Sequence, residues 1–264
     1  MSMAMSSADP ISAARNALAA ARSVVVLTGA GVSAESGIPT FRGGQPGGME
    51  ALWKSFDPQT LATPEAFARD PRIVTDWYDW RRQKCREAVP NAAHLALAEL
   101  ERRLVARGDS FTLLTQNVDR LHHRAGSRNV VELHGNIVEW RCAATGRLVD
   151  VPLDPFPETP VPSPHRLGAF LRPHIVWFGE ALSEDALHAA TEAANACDMF
   201  LSIGTSAVVY PAAGFVGVAA SHGAKTIEIN REHTPISPRV DWSIRDPAGE
   251  ILPMLLGGWP AGSK

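Results

Sequence analysis

The sequence is poor in several features that would each define a class of protein. It has only three cysteines, Cys85, Cys142 and Cys197, which are far apart and in no CxxC pair, so a disulfide framework and a four-cysteine zinc site are both excluded. It contains no run of 18 apolar residues, and nothing in it therefore predicts a membrane span. The first residues lack a charged segment followed by an apolar one, which argues against a signal peptide and favours a reduced, cytoplasmic protein.

Basic charge of the kind that attracts nucleic acid is also missing. The formal net charge is -3, and only four of the 25 basic residues are lysines. We therefore expect neither a nucleic-acid partner nor a membrane partner. What is present is ordinary for a globular chain: 264 residues, 45% hydrophobic and 20% charged, enough for one large domain with a small insert.

Short apolar runs alternate with helical stretches along most of the chain. Helices are predicted from Asp9-Pro10, where an N-cap precedes a first-turn proline, and at 90–107, 183–196 and 211–222. Alternation of this kind predicts an α/β fold, a Rossmann-like doubly wound parallel sheet. The predicted strands are 24–27, 111–115, 129–133, 174–178, 199–204 and 226–230.

Two stretches interrupt this rhythm. Residues 49–90 are helical in character but aromatic and punctuated by prolines, and residues 140–172 carry six prolines and little periodicity. We expect both to be inserts that form a smaller lobe. The whole chain, 1–264, would then be one domain, with the large lobe built from about 10–48, 91–139 and 173–256.

A glycine-rich loop follows the first predicted strand. Residues 29–34 read Gly-Ala-Gly-Val-Ser-Ala, which fits G-x-G-x-x-A, the pattern that lets backbone N–H groups approach a pyrophosphate. Alone this pattern is weak, because a plain strand-to-helix turn also uses glycine. Residues 37–48 then contain five glycines and two prolines, which predicts a long loop in place of the helix of a typical dehydrogenase.

Five motifs in order make the chain resemble the sirtuins, the NAD-dependent protein deacylases. The glycine loop continues as GAGVSAESGIPTFRG, and it is followed by TQNVD at 115–119, LHG at 133–135, RPHIVWFGE at 172–180 and GTS at 204–206. The resemblance covers about residues 20–256 and is greatest to the bacterial class III subgroup, the desuccinylases and demalonylases. It implies that an acyl-lysine and NAD react to give nicotinamide and O-acyl-ADP-ribose.

The resemblance also implies which residues hold NAD. Phe41 would shield the nicotinamide ribose from water and Arg42 would bind a phosphate, although ordinary packing and a solvated loop arginine are the alternatives. Asn117 would bind ribose or an ordered water and Asp119 the nicotinamide carboxamide, the alternative being a helix N-cap. The implied set is Gly29, Ala30, Gly31, Ala34, Glu35, Thr40, Phe41, Arg42, Gln116, Asn117, Val118, Asp119, Gly204, Thr205, Ser206, Asn230, Glu232 and Ala248.

His134 is the predicted general base. The reaction needs an acceptor for a ribose hydroxyl proton, and an imidazole titrates in the right range. A lone histidine at a strand end is more often structural, and His134 is assigned on its place in LHG, with Asn117 as the second catalytic residue. His122 and His123, at the start of the next helix, are expected to be structural residues and not catalytic ones.

One segment of the fourth motif is expected to bind the peptide. An extended backbone edge would accept an added strand with little sequence selectivity, whereas a buried central strand would leave no edge. The partner would then be an acyl-lysine protein or peptide. The expected peptide-binding residues are Val176, Trp177, Phe178, Gly179 and Glu180.

The zinc module of the family is degenerate. Sirtuins usually carry two cysteine pairs in the small lobe, but here Cys142 stands at the first ligand position, Thr145 at its partner's, and proline, serine and His165 replace the second pair. One thiol and one imidazole do not complete a tetrahedral site. We therefore expect no zinc and no other metal site.

Ala62, Tyr78 and Arg81 resemble the acyl-reading residues of the class III subgroup. Tyr78 and Arg81 are three residues apart, on one face of a helix, where a hydroxyl and a planar guanidinium can both bind a distal carboxylate. The small Ala62 leaves room for a longer chain. The alternative is a surface pair in which Arg81 binds Asp79 or Glu87. We expect deacylation with succinyl and malonyl preferred over acetyl.

Two other functions use the same site. NAD glycohydrolysis or ADP-ribosyl transfer would result if water or another nucleophile attacked the ribose, and a non-catalytic NAD sensor would need neither His134 nor Asn117. The predicted peptide-binding segment argues against pure NAD hydrolysis. The presence of both His134 and Asn117 argues against a non-catalytic sensor.

Overall fold

A computed structural model describes residues 9–38 and 58–258, which build a large parallel sheet and a small antiparallel one. Strands are numbered along the chain. The large sheet contains β1 (Ser23–Thr28), β2 (Ser110–Thr115), β3 (Val130–Glu132), β7 (Met199–Ile203), β8 (Lys225–Ile229) and β9 (Trp242–Ile244). Its order is β3-β2-β1-β7-β8-β9 with every neighbouring pair parallel, so the strand order reverses between β1 and β7, where open α/β sheets bind ligands.

Helices cover both faces of the large sheet. Alternate side chains of β1 point to opposite faces, Val24 and Val26 to one and Val25 and Leu27 to the other. The first face packs against α1 (Pro10–Ala20), α6 (Ala92–Ala106) and α10 (Ala248–Leu256). The second packs against α8 (Glu184–Ala196) and α9 (Phe215–Ser221). Two short helices, α2 (Ala30–Ala34) and α7 (Leu121–Ala125), lie at the carboxyl edge of the sheet, and two 3-10 turns span Ala212–Gly214 and Ser237–Arg239.

The small lobe is formed by the two inserts packed together. The first gives α3 (Pro58–Leu61), α4 (Pro64–Arg69) and α5 (Pro71–Glu87). The second extends beyond the predicted bounds 140–172 at both ends, because it gives an antiparallel sheet of order β5-β4-β6, with β4 (Gly135–Cys142), β5 (Leu148–Val149) and β6 (Leu171–Ile175). One apolar cluster joins the helices to the sheet, with Leu61, Phe67, Val74 and Trp77 on one side and Ile137, Trp140 and Leu171 on the other.

The fold class predicted from the sequence is confirmed, as are five of its six strands. Helix starts also follow the sequence, because the side chains of Asp9, Asn91 and Ser183 each accept a hydrogen bond from a backbone N–H of the first turn. The strand predicted at 174–178 is wrong in place and partner: β6 runs from Leu171 to Ile175 and belongs to the small sheet. No helix within residues 9–38 and 58–258 combines the length and the apolarity that a membrane crossing requires.

Candidate active site

Four parallel strands end at one edge of the large sheet, and the residues directly after them form the candidate site. Thr28 pairs with Thr115 and with Ile203, and Ile203 pairs with Ile229, so these four strand ends are level. The next residue of each strand therefore lies at the same edge. The sequence-predicted residues brought together in this way are Gly29, Gln116, Gly204 and Asn230.

Three glycines allow two of these strand ends to pack directly against each other. A Cβ on Gly29 would lie 2.8 Å from the Gly204 oxygen, and one on Gly31 would lie 2.8 Å from the Gly204 Cα. Gly204 has φ +60, and its own Cβ would lie 2.5 Å from the Val32 nitrogen. The glycine pattern thus has a packing reason that sequence analysis did not identify, and the N–H groups of Gly29 and Gly31 donate to the Ile203 and Gly204 oxygens.

Asn117 and Asp119 are oriented by a serine that sequence analysis missed. The Asn117 amide nitrogen donates to the Gly29 oxygen (3.0 Å) and to Ser33 Oγ (3.1 Å), and Ser33 Oγ donates to Asp119 Oδ2 (2.7 Å). Asp119 Oδ1 accepts from the Leu121 backbone N–H (2.8 Å). Burial raises the pKa of Asp119 against these hydrogen bonds. A hydroxyl in the middle of the glycine loop was the available signal for Ser33.

His134 is held in one tautomer by the backbone. Its Nδ1 lies 3.1 Å from the Gln116 carbonyl oxygen. A carbonyl oxygen only accepts, so Nδ1 carries the hydrogen and Nε2 keeps its lone pair. Burial lowers the pKa of His134, while the bond to Gln116 opposes that shift. The side chain is therefore a neutral imidazole at neutral pH, with Nε2 able to accept a proton.

Thr205 lies between two of the predicted nucleotide-binding residues. Its Oγ1 accepts from the Gln116 side-chain amide (3.0 Å), and its carbonyl oxygen accepts from that of Asn230 (2.7 Å). Glu35 accepts from the Gly249 N–H (3.3 Å), next to the buried Ala248. The predicted residues Thr40, Phe41 and Arg42 fall outside the described residues. The others follow the same strand ends: Ala30 and Ala34 on α2, Val118 after β2, Ser206 after β7 and Glu232 after β8.

The three predicted acyl-reading residues lie in the small lobe beside this edge. Ala62 and Tyr78 belong to the same buried cluster as Trp177. Burial raises the pKa of Tyr78 to about 12. Arg81 lies one turn beyond Tyr78, with its guanidinium carbon 4.7 Å from the centre of the Trp77 ring.

The charge of Arg81 acts on residues at the carboxyl edge of the large sheet, where the nucleotide is predicted to bind. It lowers the pKa of Tyr78 and that of Asp119, in both cases against a larger effect of burial. The two acids considered as its partners bind other cations, Asp79 to Arg82 (2.6 Å) and Glu87 to Lys84 (2.9 Å). Arg81 is thus placed between the small lobe and the residues around Asp119.

The segment expected to bind peptide, residues 176–180, is a turn and not an extended edge. Gly179, at its centre, has φ +87, a left-handed conformation that ends the extended backbone and that glycine adopts without strain. Four of the five backbone N–H groups donate within the chain: Val176 to His134, Trp177 to Glu180, Phe178 to Ala62 and Glu180 to Trp177. An added strand would therefore meet mainly carbonyl oxygens here, and the expectation of a free strand edge at Val176, Trp177, Phe178, Gly179 and Glu180 is corrected.

Apolar side chains are exposed beside this turn. Phe178 is 41% exposed. A second group of exposed apolar side chains follows the buried Ala207 in the segment after β7. Its members are Val208, Val209 and Tyr210. Sequence analysis did not single out this second group, because nothing local marks an apolar residue as exposed.

The degenerate zinc module is a hydrogen-bonded thiol. The Ser163 and Thr145 hydroxyls lower the pKa of the buried Cys142 to about 7, because they hydrogen-bond its sulfur. His165 lies with Nε2 3.3 Å from the Leu148 oxygen. In the described part of the chain, no three His, Cys, Asp or Glu side chains form a group that could hold a metal. This donor set does not fit zinc, and its absence stays a prediction.

Comparison with known sequences finds one family and close relatives. The sequence model of the Sir2 family matches residues 29–211. An NAD-dependent protein deacylase of Thermus thermophilus is 51% identical over 245 residues, covering 92% of both chains. The mitochondrial NAD-dependent protein deacylase sirtuin-5 of Danio rerio is 43% identical, covering 93% of this chain and 86% of its own.

Two solved structures of similar fold contain NAD in one case and an acylated peptide in the other. A Sir2 homologue in complex with NAD superposes with a TM-score of 0.84 at 44% identity, covering 93% of this chain and 92% of its own. A Sir2 protein bound to a myristoylated histone peptide gives a TM-score of 0.73 at 34% identity, covering 94% and 95%.

Proposed function

The chain belongs to the Sir2 family, and from this premise we propose that it is an NAD-dependent protein-lysine deacylase that prefers acidic acyl groups to acetyl. Relatives of high identity are named NAD-dependent protein deacylases. One observation carries the acyl preference: a hydroxyl donor and a guanidinium, Tyr78 and Arg81, lie one helical turn apart beside the nucleotide edge.

The residues that follow the parallel strands would form the dinucleotide site. Gly29, Gly31 and Gly204 let the ends of β1 and β7 pack together, and this brings those residues to the one edge where a dinucleotide would lie. When bound, NAD supplies the electrophilic ribose carbon to which the acyl oxygen adds. Asn117 and Asp119 would hold the nicotinamide half, and Thr205 and Asn230 the adenosine half. Ser33 fixes the first pair before any ligand arrives, since it bridges them.

His134 would accept the ribose hydroxyl proton at Nε2. The bond from Nδ1 to the Gln116 oxygen sets the tautomer in advance, and burial keeps the imidazole neutral at pH 7. Because Gln116 also binds Thr205, the residue that orients the base is tied to the nucleotide-binding turn.

The acyl chain would extend toward the small lobe. Ala62 is small and buried, so a four-carbon acyl group would find space beside it. The Ala62 carbonyl oxygen accepts a hydrogen bond from the backbone N–H of Phe178 (2.9 Å), which belongs to the segment expected to hold the peptide. A distal carboxylate on that chain would accept from the Arg81 guanidinium and from the Tyr78 hydroxyl. An acetyl group has no distal carboxylate and would therefore make neither hydrogen bond.

The test compares one peptide carrying acetyl-, succinyl- or malonyl-lysine. We expect higher kcat/KM for the two acidic groups, and Arg81→Met to lower succinyl turnover by about 2–5 kcal/mol of transition-state stabilisation while sparing acetyl turnover. Arg86→Met is the matched control, because Arg86 lies on the same helix and binds the Leu153 oxygen away from the site. Equal losses on both substrates would mean that Arg81 only supports the lobe.

Product analysis separates this function from NAD glycohydrolysis and ADP-ribosyl transfer. A deacylase yields O-acyl-ADP-ribose in the amount of peptide deacylated, whereas the alternatives yield free ADP-ribose or a modified protein. Mass spectrometry of the nucleotide products with a succinyl-lysine peptide distinguishes them. Nicotinamide release without any acyl transfer would overturn the proposed function.

A further inference from the structure

A buried ion pair fixes the turn after β6. Arg172 donates to both oxygens of Glu180 (2.6 and 2.9 Å), and Glu180 Oε2 also accepts from the Trp177 backbone N–H (2.9 Å). The guanidinium carbon of Arg172 lies 3.3 Å from the centre of the Trp177 ring. Arg172 is 6% exposed and Trp177 is 2% exposed, so the indole is held from both its backbone and its face. Its orientation is therefore fixed.

The indole N–H of Trp177 donates to the Tyr78 hydroxyl oxygen (2.9 Å). An indole nitrogen has only a hydrogen to give, so in this contact the phenol oxygen is the acceptor. The phenol hydrogen must then point elsewhere. Burial raises the pKa of Tyr78 to about 12, and the hydroxyl keeps that hydrogen at neutral pH. Trp177 thus fills one acceptor position of the phenol oxygen, and the hydrogen of Tyr78 remains available to another acceptor.

The same turn determines the position of the other small-lobe residues of the acyl site. The Phe178 N–H donates to the Ala62 oxygen (2.9 Å), and the Trp177 ring packs on that of Phe67 with centroids 5.4 Å apart. A carboxylate only accepts hydrogen bonds, so it would take the hydrogen that the Tyr78 hydroxyl still has to give. A hydrogen bond received by the phenol oxygen also strengthens the one that it gives.

We propose that Trp177 is a positioning residue for acyl selectivity. Its N–H occupies the acceptor side of the Tyr78 hydroxyl, which then directs its hydrogen to the distal carboxylate of the acyl group. Arg172 and Glu180 hold the indole in place for this purpose. The inference rests on the proposed preference for acidic acyl groups. It adds Trp177, which lies 99 positions after Tyr78 in the sequence, to the residues that determine this preference.

The test is a double-mutant cycle of Trp177→Phe and Tyr78→Phe, with succinyl-lysine and butyryl-lysine peptides. We expect Trp177→Phe to lower kcat/KM for the succinyl peptide about tenfold, mostly through KM, and to cost the butyryl peptide much less. In the Tyr78→Phe background, Trp177→Phe should lower succinyl turnover little further, because the hydroxyl that it orients is already gone. Additive losses, or equal losses on both peptides, would overturn the proposal.

Trp140→Phe is the matched control. Trp140 is fully buried in the same cluster, and its indole nitrogen has no hydrogen-bond partner among the described residues, so the change reduces ring volume and ring contacts without removing a hydrogen bond. We expect it to affect both peptides alike. Replacing the Trp177 indole by benzothiophene removes the N–H and keeps the ring, and it should reproduce the succinyl loss of Trp177→Phe; full succinyl activity in that protein would overturn the role of the N–H.

A binding measurement gives a readout independent of turnover. Calorimetric titration with the two peptides in the absence of NAD should show a much larger loss of succinyl binding than of butyryl binding for Trp177→Phe. If the wild-type protein does not prefer succinyl to butyryl, the proposed function fails and this inference fails with it. If it does prefer succinyl and the cycle shows no coupling, this inference alone fails.

Discussion

Mild acid should destabilise this protein through two buried histidines beneath the active-site edge. His94, on the first turn of α6, is fully buried, and its ring centre lies 4.8 Å from that of His122. His94 Nδ1 accepts the Asn91 backbone N–H, and His122 Nε2 lies 2.9 Å from Thr28 Oγ1. Burial lowers the pKa of His94 to about 4, and burial together with the neighbouring histidines lowers that of His122 well below its usual range.

The sign and the size of the effect come from these shifts. An imidazole with a lowered pKa in the folded state takes up its proton on unfolding, so its contribution to stability is complete above about pH 6.5 and is lost as the pH falls. For His94 the loss between pH 7 and pH 4 is about 3 kcal/mol. His122 contributes in the same direction. Against a usual total of about 5–15 kcal/mol, the loss is large.

The assay is urea unfolding followed by tryptophan fluorescence, at several pH values from 7 to 4, for wild type and His94→Gln. Glutamine at this position keeps the capping box and does not titrate. We expect His94→Gln to lose about 3 kcal/mol less than wild type over this range, and that difference isolates the histidine from carboxylates that titrate in both proteins.

His188→Gln provides the control, because His188 is exposed on α8 beside Glu192 and should leave the wild-type pH dependence intact. The reasoning is refuted if His94→Gln and wild type lose stability in parallel between pH 6.5 and pH 4. It is equally refuted if the control flattens the curve as much as His94→Gln does.

Three further predictions concern the site and the small lobe. His134→Ala should keep NAD binding, measured by calorimetry, and lower deacylation at least ~10²-fold; a rate within tenfold of wild type contradicts its role as base. Gly204→Ala should lose about 1–3 kcal/mol of stability in thermal unfolding together with NAD affinity, because its Cβ would meet Val32, whereas Gly223→Ala, at φ +91 with nothing within 4 Å, should cost only the backbone strain. Elemental analysis after desalting should find no stoichiometric zinc, and a chelator should leave activity intact; about one zinc per chain contradicts our account of Cys142.

Local sequence pattern was enough to predict five of the six strands of the large sheet, but it did not predict the small sheet. The strands β1 and β7 are apolar runs buried on both faces, and such runs are visible in any sequence window. β6 was misplaced because the strand includes Arg172, a charged residue that does not fit an apolar run and that is buried through its ion pair with Glu180. β9 is three residues long and exists through its pairing with β8. α10 contains Pro253, which argues locally against a helix.

The site divides in the same way. Asn117 and His134 were predicted because they lie in motifs at strand ends. Ser33 was missed because its role arises only when α2 folds against the end of β2, more than 80 residues later in the chain. The hydrogen bond between Tyr78 and Trp177 joins the first insert to the turn after β6, and no spacing rule in the sequence connects the two residues.

The division of the small lobe between two inserts has a consequence for synthesis on the ribosome. The aromatic face of α5, with Trp77 and Tyr78, is complete when residue 87 has been made, yet the strand β6 that covers it begins only at Leu171. At ~5–20 residues per second, the roughly 80 intervening residues take about 4–17 s. During that interval the aromatic face of α5 lacks the strand that covers it, which makes α5 the segment where a holding chaperone would act and where a stalled or truncated chain would aggregate.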